Sequence, residues 1–238
     1  MYDPNAWQMP TYYTYDKYNS LRYKFKNSEL IRHNFSQCYQ DMFVLSCLDG
    51  KIGGVYVEIG SGDPYVSNNT ALLEKEFNWK GISVEIKSED VEKFTEVRNN
   101  LIAEGDATEI DYDELFEEVN LGPVFDYLQV DCEPPIVTFS ALKKIPLDKY
   151  KFAVITFEHD FYNHSENDEN SKVRDESRAY LESMGYELIV NNISVDENHS
   201  FEDWWVHPEL VNSRIISNMK CINDETKKAE NYILGVVQ

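Results

Sequence analysis

Short apolar runs alternate with helix-patterned stretches along most of this chain, and no other feature constrains the fold as much. The runs at 55–59 (VYVEI), 81–86 (GISVEI), 101–104 (LIAE), 126–130 (DYLQV) and 152–157 (FAVITF) have the length and the β-branched and aromatic content of strands. Between them, 69–77, 88–99, 112–119 and 135–145 carry the spacing of helices. Strands separated by helices pair in parallel, and the crossovers cover both faces of the sheet. A further helix is expected at 171–184. Strands at 186–193 and 201–206 are joined by a polar turn and read as a hairpin. The expectation is an α/β fold: a doubly wound, mostly parallel seven-stranded sheet with an antiparallel final strand. Ahead of it, Leu30, Ile31, Phe35, Cys38, Met42 and Phe43 recur at helical spacing, which predicts a helix over 28–49 ended by Gly50. Residues 1–27 are a tyrosine-rich arm, and 28–238 a single Rossmann-like domain whose last stretch, 209–238, is mixed and partly helical.

A chain of 238 residues buries a sizeable core in one such domain. Its formal charge of −21 argues against a nucleic-acid backbone or an anionic membrane as partner, since both need Lys and Arg to replace counterions. The acid excess reads as a solvated surface, or as one suited to a cationic ligand. No apolar run is long enough to span a bilayer, and the N-terminus lacks the pattern of a secretory signal. Cys38, Cys47, Cys132 and Cys221 lack metal-binding spacing and read as reduced thiols of a cytoplasmic protein.

Open parallel sheets bind ligands at the carboxyl ends of their strands. The first strand ends on Glu58, followed by Gly60, Ser61 and Gly62, a turn that lets a ligand approach bare backbone. Tyr65 stands where a phosphate-binding loop has its third glycine, Pro64 interrupts the loop, and Glu58 would repel phosphate. Glu58 suits a cation such as an ammonium. Glu85, followed by Ile86, ends the second strand, where a carboxylate accepts ribose hydroxyls. Asp106 and Ala107 follow the third, placed to receive an adenine amine and to offer a backbone N–H to its ring. Asp131 and Glu133 end the fourth strand, two residues apart and so on one face. Glu158, His159 and Asp160 end the fifth; His159 is the expected general base, oriented by Asp160 or Glu133. Of Trp204 and Trp205 on the last strand, one is expected in the core and the other on a pocket wall.

Together these features describe a pocket for a cationic nucleoside without phosphate, S-adenosylmethionine. The motifs SQCYQD (36–41), GVYVEIGSGD with SNNT after it, WKGISVEI, VRNN, DYLQVDCE and FEDWWVHP then resemble, in order and spacing, the FkbM-type S-adenosylmethionine-dependent methyltransferases over roughly 35–208. The resemblance implies cofactor contacts from Gln37, Asp41, the 58–62 turn, Asn69, Glu85, Asp106 and Asp131, and methyl transfer to a hydroxyl of a sugar or other small molecule. The chain departs from that family in its Gly-Ser-Gly-Asp-Pro-Tyr turn and in DCEPP, where Asp-x-Glu-Gly is usual. A divalent metal on Asp131, Glu133 and Asp160 is a secondary expectation. Two other readings stand beside this one: a nicotinamide oxidoreductase, which needs pyrophosphate room at 60–65, and a non-catalytic protein on a degenerate methyltransferase fold.

Overall fold

The computed structural model describes residues 21–163 and 168–235. Most of the tyrosine-rich arm lies outside them; residues 21–27 pack on the domain, with Leu21 and Phe25 buried and Arg22 N–H bonded to Ile233 O at 2.9 Å.

The elements run α1 (Gln40–Cys47), β1 (Val55–Ile59), α2 (Ala71–Phe77), β2 (Lys80–Glu85), α3 (Ser88–Val97), β3 (Leu101–Glu104), α4 (Tyr112–Val119), β4 (Val124–Val130), α5 (Pro135–Lys144), β5 (Lys151–Glu158), α6 (Val173–Ser183), β6 (Glu187–Ser194), β7 (Glu202–Val206), α7 (Ser213–Met219), β8 (Lys227–Lys228) and α8 (Ala229–Ile233). The sheet order is β3-β2-β1-β4-β5-β7-β6-β8, so the chain reverses direction of travel between β1 and β4. Strands β1 to β5 are parallel, and β7 lies antiparallel between β5 and β6. The strand expectations hold, with one addition: β8 pairs with the end of β6 through Ile193–Lys227 and Ser194–Lys228, making eight strands where seven were expected.

Period-two alternation divides the buried side chains between two layers. Tyr56, Tyr127, Val154 and Trp204 face a core closed by α1, α2, α7 and α8. Val57, Leu128, Ile155 and Trp205 face the other, closed by α4, α5 and α6. Both tryptophans are therefore core, contrary to the expectation that one lines a pocket: neither is exposed at all, at 0%.

The expected helix over 28–49 is shorter. Ser28–Leu30 is a single 3-10 turn, and the α-helix begins only at Gln40. Tyr39 takes a left-handed φ of 64°, which interrupts helical backbone. Asp41 wraps the preceding turn, accepting from Ser36 Oγ at 2.6 Å, Met42 N–H at 2.8 Å, Phe35 N–H at 3.1 Å and Asn34 Nδ2 at 3.2 Å. Among the described residues no helix is long and apolar enough to cross a membrane.

Candidate active site

A cavity of about 800 Å³ opens at the carboxyl ends of the parallel strands. Its base is the β1–α2 turn. Gly60 and Ser61 N–H both donate to Val84 O, at 2.9 and 3.2 Å, and Gly60 takes a φ of +75°. A Cβ there would lie 1.8 Å from Asp131 O, so only glycine lets β1 and β4 meet below the cavity. The turn carries no phosphate cradle. Asp63 Oδ1 already accepts from Tyr65 and Val66 N–H at 3.0 Å each. Asn68 Oδ1 caps the start of α2, accepting from Thr70 N–H at 3.0 Å and Ala71 N–H at 2.8 Å. The backbone donors that would grip an anion are thus occupied by the protein's own side chains.

One end of the cavity is walled by the β2 and β3 strand ends. The carboxylate of Glu85 accepts from Gly62 N–H at 2.8 Å, and from Ile86 and Lys87 N–H at 2.9 Å each. Ile86 presents an apolar surface to the opening, 61% exposed. Gly105, Asp106 and Ala107 complete this wall. Asp106 Oδ1 accepts from Thr108 N–H and Oγ1, at 2.8 and 2.7 Å, and these bonds hold its carboxyl below the usual range.

The other end is acidic. Asp131, Cys132 and Glu133 follow β4, Glu158 ends β5, and Asp160 and Tyr162 follow it. Burial raises the Asp131 carboxyl to about 6, and the nearby Asp160 and Glu133 charges act in the same direction. Burial, then the Asp131 and Asp160 charges, push Glu158 well above the ordinary carboxylate range. Glu158 is therefore the protonated partner, donating to Asp131. Below them Glu202, paired with Glu158 across β5 and β7, is raised to about 8 by burial despite accepting from Trp204 Nε1 at 2.7 Å and Gln40 Nε2 at 3.0 Å. Oxygens of Glu133, Glu158 and Asp160 lie within 4.8 Å of one another, the set that could hold a cation; Glu158 takes the place expected for Asp131.

Of the residues singled out from sequence, Gln37, Gly60, Gly62, Glu85, Ile86, Asp106, Ala107, Asp131, Glu133, Glu158 and Asp160 line this cavity. Asp41, Glu58, Ser61, Asn69 and His159 do not. Asp41 shapes the turn that presents Gln37. Glu58 is buried beneath the glycine turn, accepting from Ser83 Oγ at 2.7 Å and Thr70 Oγ1 at 3.0 Å. Its counter-charge is Arg98, which donates to Glu74 at 2.7 Å, Pro64 O at 2.8 Å, Thr70 Oγ1 at 3.0 Å, Asn68 Oδ1 at 3.1 Å and Tyr56 OH at 3.2 Å. Glu58 and Arg98 thus brace the turn from below.

His159 is the main correction. β5 ends at Glu158, and the N–H groups of His159 and Asp160 both donate to Phe201 O, at 2.7 and 3.0 Å; Glu158 and Asp160 line the cavity, whereas His159 does not. It is fully buried; its Nδ1 accepts from Phe161 N–H at 3.2 Å, and its Nε2 lies 3.5 Å from Asp203 Oδ1. Asp203 is in turn held by Arg178 at 2.6 and 2.9 Å. That cluster is structural. Sequence reading missed Tyr162, and it missed Val195, Asp196, His199 and Phe201, from the β6–β7 turn and the residue before β7; its only signal was a polar hairpin connection above the strand ends.

No family model matches the sequence, and no curated protein matches it. Solved structures do resemble the fold. A candidate O-methyltransferase from Klebsiella pneumoniae aligns with a TM-score of 0.51 at 12% identity, over 71% of this chain and 79% of that one. A candidate rRNA methylase from Clostridium thermocellum aligns at 0.48 and 13% identity, over 66% and 87%. M. capricolum TrmK, solved with S-adenosylhomocysteine, aligns at 0.46 and 13% identity, over 71% and 68%. At such identities the likeness is one of architecture: the chain has the Rossmann-like α/β fold of S-adenosylmethionine-dependent methyltransferases, with a mostly parallel sheet and an antiparallel strand pair.

Proposed function

We propose that this protein is an S-adenosylmethionine-dependent methyltransferase of FkbM type, acting on a hydroxyl of a sugar or other small molecule. The carrying observation is the cavity's pairing of Glu85 and the exposed Ile86 at one end with clustered carboxyl groups at the other, beside a turn without an anion cradle. The resident residues fit this cofactor. A carboxylate offers about four acceptor sites, and Glu85 has three in use, so one ribose hydroxyl is accommodated directly and a second displaces a backbone donor. Ile86 offers a face to the adenine. Asp131, unprotonated beside Glu158, provides negative charge for the sulfonium or the amino group. The bound cofactor supplies an activated methyl group; the chain orients it and excludes water.

The same observations disfavour a nicotinamide dinucleotide, whose pyrophosphate would meet capped backbone and four clustered carboxyl groups, Asp131, Glu133, Glu158 and Asp160. Calorimetry with S-adenosylhomocysteine and NAD side by side tests the reading. Saturable binding of the first and none of the second is expected. Binding of NAD alone refutes the proposal, and binding of neither favours the non-catalytic alternative.

A further inference from the structure

Methyl transfer to a hydroxyl needs an acceptor for the hydroxyl proton, and the histidine expected to serve is turned into the core. Of the imidazoles among the described residues, only His199 lines the cavity. It sits in the turn between β6 and β7, above the acidic end. Its Nδ1 lies 2.6 Å from Asp196 Oδ2. Asp196 is itself fixed: its Oδ1 accepts from Asn198 N–H at 2.9 Å, Ser194 Oγ at 3.0 Å and His199 N–H at 3.1 Å. The Asn198 N–H bond, then the contact with the His199 ring, holds this carboxyl well below the usual range, so it stays ionised at neutral pH. An ionised carboxylate at Nδ1 places the ring proton there and leaves the lone pair on Nε2. Tyr162 meets the ring edge-on, with centroids 5.1 Å apart, and narrows its orientation further. The other titratable groups of this end are Glu133, Asp131, Glu158 and Asp160.

Resting on the methyltransferase reading, we propose that His199 Nε2 takes the proton of the acceptor hydroxyl, with Asp196 as the positioning residue. The acceptor oxygen forms a bond to the methyl carbon as the carbon–sulfur bond breaks. The pair from that bond returns to sulfur, which becomes a neutral thioether. The hydroxyl proton passes to Nε2, and the imidazolium releases it to water before the next turnover. No oxidant or further co-reactant is needed. The carboxyl pair is a poorer acceptor, because Glu158 already holds a proton and Asp131 already accepts from it.

The test needs no knowledge of the natural acceptor. The full chain, labelled with ¹⁵N-histidine, is titrated by NMR in two complexes: with S-adenosylhomocysteine, and with sinefungin, whose ammonium replaces the methylsulfonium. H199N identifies the resonance. A cation at the methyl position should lower the His199 titration midpoint by about one pH unit relative to the homocysteine complex, a roughly tenfold loss of proton affinity, as for like charges several ångströms apart at a partly wet site. The His33 and His207 midpoints should not move. In D196N, whose amide oxygen still caps the loop, the Nδ1 and Nε2 shifts should move from a single tautomer towards a mixture. Equal His199 midpoints in the two complexes, or an unchanged tautomer in D196N, overturn the assignment. If neither compound binds, the methyltransferase reading falls first and this proposal with it; if both bind and His199 is unmoved, only the base assignment falls.

Discussion

Arg98 offers the sharpest test of how the site is held. Its side chain is 1% exposed and donates to five different groups of β1, the β1–α2 turn and α2. Arg98→Met keeps roughly the same volume but removes the charge and every donor. Glu74, 9% exposed, and Glu58, buried at 1%, then lose their only close cation among the described residues. Breaking a buried pair by removing one partner costs about 3–5 kcal/mol, because the remaining charge is left desolvated. For a chain of this size that corresponds to a fall in Tm of roughly 6–20 °C. Urea unfolding followed by circular dichroism should show the lower midpoint with an unchanged slope. Adding Glu74→Gln should recover part of the loss, since the orphaned charge is then gone. Because Arg98 anchors Pro64 O and Asn68, the single variant should also bind S-adenosylhomocysteine more weakly than wild type at a temperature where both are folded. A loss below about 1 kcal/mol would show that the network is solvated in solution and that the turn does not depend on it.

Three further outcomes are expected. Gly60→Ala forces a Cβ to within 1.8 Å of Asp131 O at a positive φ, and should cost roughly 2–5 kcal/mol in urea unfolding; wild-type stability would mean β1 and β4 do not meet as described. Glu202, raised from the usual 4.5 to about 8, holds a proton when folded that the unfolded chain releases over that window, so its contribution to stability is present below about pH 4.5 and lost as pH rises through 8. Glu202→Gln should therefore flatten the fall in stability between pH 5 and 8.5, by on the order of 3 kcal/mol, and a pH profile parallel to wild type would contradict the burial argument. Glu85→Gln should weaken S-adenosylhomocysteine binding by about tenfold or more in calorimetry, the value of a hydrogen bond to a charged group, and unchanged affinity would remove Glu85 from the ribose site.

The strand–helix alternation was readable because each strand is a short apolar run rich in β-branched and aromatic residues and bounded by turn residues; those features, not periodicity, separate such doubly buried strands from helix. The segment before β1 misled for a physical reason. Leu30, Ile31, Phe35 and Cys38 have helical spacing, but Asn34, Ser36 and Asp41 bond to the local backbone and to one another, offering it a non-helical alternative. Asp131 and Glu133 both line the cavity, as does Cys132 between them, because all three follow the carboxyl end of β4. At the end of β5 Glu158 and Asp160 reach the cavity while His159 is buried, an outcome set by the shared Phe201 O bond and the left-handed φ of Asp160, which no sequence pattern announces. Arg98 was legible only as one letter of VRNN, since nothing in a sequence marks which isolated arginine is buried. His199 was hidden because a hairpin turn has no periodicity, and its relevance comes only from where β7 enters the sheet.

The direction of β7 has a larger consequence. A parallel strand would deliver its carboxyl end to the ligand edge and lead onward into a helix. Running the opposite way, β7 begins there, so residues 195–200 form a short bridge over the mouth, held between its two feet by Asn231 Nδ2 on Glu197 at 2.9 Å, by Tyr162 N–H on Ser200 O at 3.2 Å and by the Tyr162 ring against His199. The glycine turn and Glu85 come from separate strands on the far side. Lengthening or rewriting that bridge would leave the Gly60–Gly62 turn and Glu85 untouched, so under the proposed reading one short hairpin connection can be exchanged to alter the acceptor side while the cofactor side stays constant.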